Sequence, residues 1–353
     1  MKSGTRPQPT RRKTIKEVAA RAGVSVGTVS NVLNTAAPVS PELRKRVLSV
    51  IEELDYHPNH TARSLKSNRT KMLGMVISDI TNPFFPLLVR GAEDAALQHN
   101  YLLVTFNSDS RSDRERTLFS LFTRYRMDGI LLVISSDSDL DHVHEAVESG
   151  TPIVFVDRVP KGFECDSVAI DNAAGARQAV EHLLQLGHHR IGMITGSRDL
   201  RISHERLRGY KMALGKANIA MDPQLVYWGN FNLETARNSA TVLLQMSNRP
   251  SAIFAANNVM ALGTLQAIHY LGLRCPEDVA LVSFDDLPIF DSLTPPLSAV
   301  AQPSYNLGYQ AADLLIRRLE GELGEPVSVI LPPELRIRVS PAGLLNGMKN
   351  GGV

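Results

Sequence analysis

Hydrophobic positions near the start of the chain recur with a helical period. Ile15, Val18, Ala19 and Ala22 fall at i, i+3, i+4 and i+7, one face of a helix. Thr14 before them and Glu17 three residues on have the spacing of a capping box, and Gly23 supplies the left-handed backbone that stops a helix. Ser25 is the next cap; Val29, Val32 and Leu33 would bury a second short helix, Val26–Leu33, against the first. Ser40-Pro41-Glu42 starts a third, with Val47, Leu48, Ile51 and Leu54 as its apolar stripe. Two helices around a glycine-containing tight turn are the unit whose second helix enters the DNA major groove. A small three-helix bundle with no DNA role is the plain alternative.

From residue 72 the pattern changes. Apolar, strand-like runs alternate with helical stretches: Met72–Ile77, Leu102–Phe106, Gly129–Ile134 and Ile153–Val156, then Arg190–Thr195, Leu225–Trp228, Ala252–Ala255 and Val279–Phe284. That alternation predicts parallel sheets covered on both faces, in two α/β halves. Such sheets bind ligands at the carboxyl ends of their strands. Asp79, Asn107, Asp157, Thr195, Asn257 and Asp285 all stand there.

Charge separates the two parts. Residues 1–70 hold thirteen Lys/Arg against five acids, +8, while the whole 353-residue chain carries only +2, which leaves −6 on the rest. A basic head on an acidic body points to a polyanion partner. Two cysteines, Cys165 and Cys275, make no disulfide framework and no zinc motif. No apolar run approaches the roughly 20 residues of a membrane span, and MKSGTRPQPTRRKTI is no secretory signal. These features predict a cytoplasmic protein.

On the second helix, Ser25, Thr28, Ser30 and Asn34 are short donors suited to phosphate oxygens. Val26, Gly27 and Asn31 stand where bases are read: Asn bonds adenine in a bidentate way and Val touches a thymine methyl. The body has no GxGxxG after a strand, no P-loop and no GxSxG elbow. His142/His144 and His188/His189 lack acids or cysteines at ligand spacing, so no metal and no cofactor is expected. Asp285 and Asp286 are neighbours at a strand end and need not share a site. What remains is a sensor cleft: Phe85, Arg206, Phe231, Asn257 and Asp285, with Asp157 at a strand end, offer the carboxylates, amide, guanidinium and aromatic faces that polyols use.

TIKEVAARAGVSVGTVSNVLN, followed by VSPELRKRVLSVIEELDYHPNHTARSLKS, resembles the lactose/galactose repressor (LacI/GalR) family of bacterial transcription regulators. The resemblance continues through SDITNPFFPLLVRGAED (78–94), VDR (156–158), AIDNAAGA (169–176), HLLQLGHHRIGMITG (182–196), AIFAANNVMALG (252–263), LGLRCPEDVALVSFDD (271–286) and LTPPLSAVAQP (293–303). It implies a small all-α helix-turn-helix domain joined to a two-lobed, periplasmic-binding-protein-like α/β sensor. The domains would be a basic tail (1–13), the helix-turn-helix domain (14–57), a hinge (58–70), the effector-binding and dimerisation domain (71–341) and a flexible tail (342–353). The implied function is a transcriptional regulator, a repressor ahead of an activator and not an enzyme, whose affinity for operator DNA responds to a small molecule bound between the lobes, a sugar or derivative first and a nucleobase next. In the hinge, Leu65 matches a residue that wedges into the minor groove and kinks the duplex. Thr14, Ser40, Tyr56, Asn59, Ala62, Arg63 and Lys66 complete the expected DNA-contacting set. Arg206, Phe231, Asn257 and Asp285 match effector-contacting positions, and Phe85 an aromatic that stacks on the ligand. Three departures stand out: Asn31 where many members carry Arg, Leu43 where several have a phosphate-bonding Thr, and Asn258 where Asp is usual. Tetrameric relatives end in a leucine-heptad helix; this chain ends PAGLLNGMKNGGV without heptads, which predicts a homodimer on a palindromic operator. A free periplasmic sugar-binding protein and an enzyme on a doubly wound fold are the competing classes.

Overall fold

A computed structural model describes residues 13–34, 38–56, 69–322 and 324–338. The hinge residues Asn59, Ala62, Arg63, Leu65 and Lys66 and the 342–353 tail lie outside the described residues. The chain separates into two compact units, residues 1–70 and 71–353.

Among the described residues the head has three helices. α1 (Ile15–Ala22) carries the capping box: the Glu17 N–H donates to Thr14 Oγ1 at 3.4 Å, and the Thr14 N–H donates to the Glu17 carboxylate at 2.7 Å. Gly23 ends it at φ 65°. α2 (Val26–Asn34) starts at Ser25, whose Oγ accepts the Thr28 N–H at 3.0 Å. α3 (Pro41–Glu53) is capped by Ser40, which accepts the Leu43 N–H at 3.4 Å. The core is Val18, Ala19, Ala22, Val29, Val32, Val47, Val50 and Tyr56. One expectation fails: Leu48 is 45% exposed. The buried stripe of α3 runs through Val47, Val50, Ile51 and Leu54, at i, i+3, i+4 and i+7, and Leu48 falls one position outside it.

The body is two six-stranded sheets. Its strands are β1 (Met72–Ile77), β2 (Leu102–Asn107), β3 (Gly129–Leu132), β4 (Ile153–Val156), β5 (Asp166–Ile170), β6 (Ile191–Thr195), β7 (Val226–Trp228), β8 (Ala252–Ala255), β9 (Ala280–Phe284), β10 (Ala299–Ala301), β11 (Ser328–Leu331) and β12 (Glu334–Arg336). The first sheet has the order β11-β5-β4-β3-β1-β2 and the second β12-β10-β9-β8-β6-β7. Every pairing is parallel except β10 with β12. The helices are α4 (Phe84–Gln98), α5 (Ser112–Tyr125), α6 (Asp141–Glu148), α7 (Asn172–Gln185), α8 (Arg201–Lys216), α9 (Leu233–Leu244), α10 (Asn258–Tyr270) and α11 (Ser304–Glu320).

The chain passes between the lobes three times, all at one edge of the sheets. It leaves the first lobe after β5 to form α7, which packs on the second sheet. After β10 it returns as α11, which lies along α4 and covers β3, β4 and β5. After β11 it crosses once more to β12. The α4–α11 contact is made by backbone. A methyl group on Gly308 would sit 1.8 Å from the Leu88 carbonyl oxygen, and one on Gly91 would sit 2.0 Å from that of Tyr305.

A buried polar group shapes the loop after β3. Glu115 of α5, 1% exposed, accepts the Ser135 N–H at 2.8 Å and lies 2.8 Å from His142 Nε2. The Ser135 hydroxyl donates to Ser108 Oγ at 2.9 Å. Both carboxylate oxygens are thereby satisfied, as burial requires.

Candidate functional site

Two sites emerge, one in each unit. On the head, α2 presents Val26, 41% exposed, with Gly27 and Ser25 also exposed. A methyl group on Gly27 would meet only Ser25 Oγ, at 3.6 Å, so this turn of backbone is open to an approaching surface. Thr28, Ser30 and Asn31 are half-buried beside it. Lys45 and Arg46 are exposed on α3. The hydroxyls of Thr14, Ser25 and Ser40 are engaged as helix caps, and the Tyr56 ring is 8% exposed in the head's core. Asn34 ends α2.

In the body, the strand ends bring four charges together in a low-dielectric interior. Asp157 follows β4 and Asp285 follows β9; both take left-handed backbone, at φ 65° and 64°. They occupy corresponding places, the third strand from the crossing edge of each sheet. Arg206, on α8, is 2% exposed. Its Nε donates to Asn172 Oδ1 at 2.9 Å, its Nη1 donates to the Ala256 carbonyl at 2.6 Å, and its guanidinium lies 3.7 Å over the Phe284 ring. Asp285 Oδ1 accepts Gln302 Nε2 at 2.5 Å. Arg158 is 5% exposed; its Nη1 donates to the Ile134 carbonyl at 2.9 Å and its Nε lies 4.0 Å from Asp157.

This group is under-satisfied as it stands. Asp157 Oδ1, Arg158 Nε and Gln302 Oε1 are buried without a hydrogen-bond partner. Buried polar atoms without partners are rare and costly, and a carboxylate without a donor beside a guanidinium without an acceptor can hold a group that both donates and accepts. Phe231 lies with its ring 5.6 Å from the Arg158 guanidinium, itself at φ 53°. Left-handed backbone is uncommon for a bulky residue and is retained where the surroundings impose it. A methyl group on Gly196 would fall 2.0 Å from the Phe231 ring, so Gly196 makes room for that ring.

Burial is the main influence on the Asp157 carboxyl and pushes it up to about 6; Arg206 and Arg158 pull it back and the Asp285 carboxylate adds to the rise. Asp285 is raised for the same first reason. A carboxyl whose folded pKa exceeds its unfolded value contributes stability below the unfolded pKa and loses it as pH rises through the folded one. Asp157→Asn is therefore expected to stabilise the protein at pH 7 by about 3 kcal/mol and to leave it nearly unchanged at pH 4. Urea titrations of both proteins at the two pH values check this; an equal difference at both would refute it.

Asn257 Oδ1 is used as the cap of α10, accepting the Met260 N–H at 2.8 Å, directly after the Ala256 carbonyl that holds Arg206. Phe85 is 3% exposed in the hydrophobic core, edge-on to Phe84. Asp286 faces away from Asp285 and pairs with Arg338 at 2.9 Å and Arg336 at 3.0 Å. Sequence reasoning missed Arg158, Asn172 and Gln302. The one local sign of the first is that it follows Asp157 in VDR. Asn258, the departure, donates to Asn82 Oδ1 at 2.8 Å and so ties the second lobe to the first. A mostly apolar cavity of about 760 Å³ lies elsewhere, between His182, Leu186, Leu265, Pro276, Leu293 and Ile337, and no cleft residue lines it. Among the described residues, no cluster of His, Cys, Asp or Glu could hold a metal, and no helix is long and apolar enough to cross a membrane.

Comparison with known proteins agrees in both units. Residues 14–59 match the family described as bacterial regulatory proteins, lacI family, and residues 180–340 match a periplasmic binding protein-like domain. The chain is 34% identical over 329 residues to the HTH-type transcriptional repressor PurR of Aliivibrio salmonicida (strain LFI1238), covering 93% of this chain and 98% of that one. It is 34% identical over 331 residues to the HTH-type transcriptional repressor CytR of Escherichia coli (strain K12), covering 94% and 97%. Among solved structures, a lac repressor dimer bound to operator and the anti-inducer ONPF is similar at 28% identity and a TM-score of 0.82, covering 93% and 98%. A complex of the transcriptional regulator CelR with cellobiose is similar at 34% identity and a TM-score of 0.72, covering 93% and 99%.

Proposed function

The chain belongs to the lacI family of bacterial regulatory proteins, and from that premise we propose that it is a repressor whose hold on operator DNA is set by a sugar or sugar derivative bound between the lobes of its body. Residues 14–57 read the DNA, 58–70 join them to the sensor, and 71–341 bind the effector and pair two subunits. The observation that carries the sensor half is the set of unsatisfied buried groups at the strand ends: Asp157 Oδ1 offers an acceptor and Arg158 Nε a donor, beside Phe231. A polyol hydroxyl can donate to the first and accept from the second, with the apolar side of its ring on the aromatic face. The relative solved with cellobiose supports this class of ligand.

For the head, exposed Val26 and the open backbone at Gly27 favour close approach of α2 to base edges, with Asn31 one turn on. A single helix-turn-helix reads only a short half-site, so a dimer reads two with matching symmetry. Footprinting on genomic fragments is expected to protect near-palindromic sites, and asymmetric, unrepeated sites would count against the dimeric reader. Thermal-shift screening with a sugar library tests the sensor: a hit must also alter operator affinity in a gel shift.

A further inference from the structure

Four residues bridge the lobes beside that group; one of them, Asp137, has a carboxylate oxygen buried without a partner and lies within electrostatic reach of Arg158. Ser136 and Asp137 follow β3 in the first lobe; Asp199 and Arg201 lie between β6 and the first turn of α8 in the second. The Ser136 hydroxyl donates to the Asp199 carboxylate, and the Arg201 N–H donates to the Asp137 carboxylate. Between them, the Asp137 N–H donates to the Asp199 carbonyl at 3.2 Å. Each side is held in shape from within its own lobe. Ser136 Oγ accepts the N–H groups of Ser138 and Asp139, both at 3.1 Å, and the preceding residue, Ser135, is fixed by buried Glu115. On the other side Asp199 N–H donates to Ser197 Oγ at 3.2 Å, and the Arg201 side chain is tied to Glu205 at 2.8 Å.

Topology gives this contact leverage. All three crossings lie at the edge formed by β11 and β5 in one sheet and by β12 and β10 in the other. Asp157 and Asp285 stand one strand further in, whereas β3 and β6 are the fourth and fifth strands from that edge. With strands about 4.8 Å apart, the bridge lies roughly 10–15 Å from the crossings, beyond the cleft charges. An opening of about 10° about the crossings would separate its two sides by ~2 Å, more than a hydrogen bond tolerates. The bridge is therefore made only when the lobes are close.

We propose that Ser136, Asp137, Asp199 and Arg201 form a clasp at the mouth of the cleft, which holds the lobes closed and slows the release of whatever occupies it. Asp199 is the positioning residue: it receives from both Ser136 and Asp137 and touches none of the cleft charges. A ligand held by Asp157 on one lobe and Asp285 on the other favours the same closed arrangement, so clasp and ligand act on one equilibrium. The second half of the proposal rests on the cleft being the effector site; the first half does not.

Spin labels on Glu148→Cys and Ser247→Cys, both exposed and one on each lobe, report the spacing in the full-length protein. The native Cys165 and Cys275, both partly buried, are replaced by Ser in the background, so only the introduced pair is labelled. Pulsed electron resonance on labelled protein diluted into an excess of unlabelled protein, so that one subunit of a pair carries labels, is expected to give one narrow distance in the otherwise native protein. Asp199→Ala and Ser136→Ala each add a second, longer one, and Asp199→Asn, whose amide oxygen still accepts, restores the single distance. A single unchanged distance in both alanine variants, each shown folded by its urea transition, overturns the clasp. With a sugar hit from the thermal-shift screen, Asp199→Ala is expected to release the compound at least tenfold faster and Asp199→Asn at the native rate. Unchanged release despite a second distance overturns the clasp's part in effector retention while leaving the cleft assignment intact. If no compound binds the native protein, the cleft assignment fails, and the distance measurement still decides the clasp.

Discussion

Asp285→Ala is expected to abolish the response of operator binding to the effector while leaving operator affinity without effector within about twofold. Asp285 is 6% exposed, accepts from Gln302, and is one of the two carboxylates whose charge offsets Arg206 and Arg158. Removing one partner of a buried charged group costs about 2–5 kcal/mol in binding, or between about 30-fold and several thousand-fold in effector affinity. The loss falls on the ligand because Arg206 keeps its bonds to Asn172 and the Ala256 carbonyl and so stays in place. The residues that match the lacI-family model belong to the other compact unit. Calorimetry with a compound found by thermal shift, together with gel shifts on the footprinted site, measures both halves. If Asp285→Ala bound and responded as the native protein does, the cleft assignment would fail. The reciprocal measurement is independent: the effector's affinity for the DNA-bound protein must differ from that for the free protein by the factor through which it changes DNA affinity.

Gly308→Ala is expected to destabilise the body by about 2–4 kcal/mol, although it adds one methyl group. That methyl would lie 1.8 Å from the Leu88 carbonyl oxygen, a backbone atom that no rotamer change can move. α4 and α11 would have to part by more than 1 Å along their shared length, loosening the apolar contacts that both bury. Gly215→Ala is the matched control. It also sits inside a helix, α8, but nothing lies within 4 Å of the added carbon. Alanine there should stabilise the protein by up to about 1 kcal/mol through helix propensity alone. The two substitutions are chemically identical and differ in sign because of what faces them. Urea midpoints of both variants settle the matter; a loss under 1 kcal/mol at Gly308 would show that the helices can yield.

The head was legible because local rules govern it. Thr14, Glu17, Gly23 and Ser25 do in the structure what their spacing predicts, and each bond closes within four residues. Leu48 was misread because two apolar residues are adjacent at 47 and 48 and only one fits the stripe that reaches Leu54. In the body, the buried central strands were visible as runs such as Ile153–Val156. The strands that went unpredicted were β5, β10, β11 and β12. β11 is half-exposed and pairs with β5 some 160 residues earlier, which leaves no local trace. The charged cleft was legible by residue type and by position after strands, but its composition was not. Arg158 reads as an ordinary charge after a strand. It becomes a cleft residue only because the Ile134 carbonyl and the Phe231 ring arrive from elsewhere to enclose it. Asn172 and Gln302 were missed for a related reason: both lie at crossings between the lobes, and crossings are a property of topology.

The three crossings also set a timetable for synthesis. The first lobe has five of its six strands by residue 170, yet the helix that covers α4 and the strand that completes the sheet arrive at residues 304–331. At a translation rate of roughly 5–20 residues per second, the ribosome takes on the order of 10–30 s to supply them. During that interval the α4 face around Leu88 and Gly91 and the open edge of β5 have no partner from their own chain. Exposed apolar surface and an unpaired strand edge make a nascent chain in this condition prone to pairing with a neighbour. A circular permutant that begins at residue 304 would place both pieces ahead of β1 and shorten the exposure.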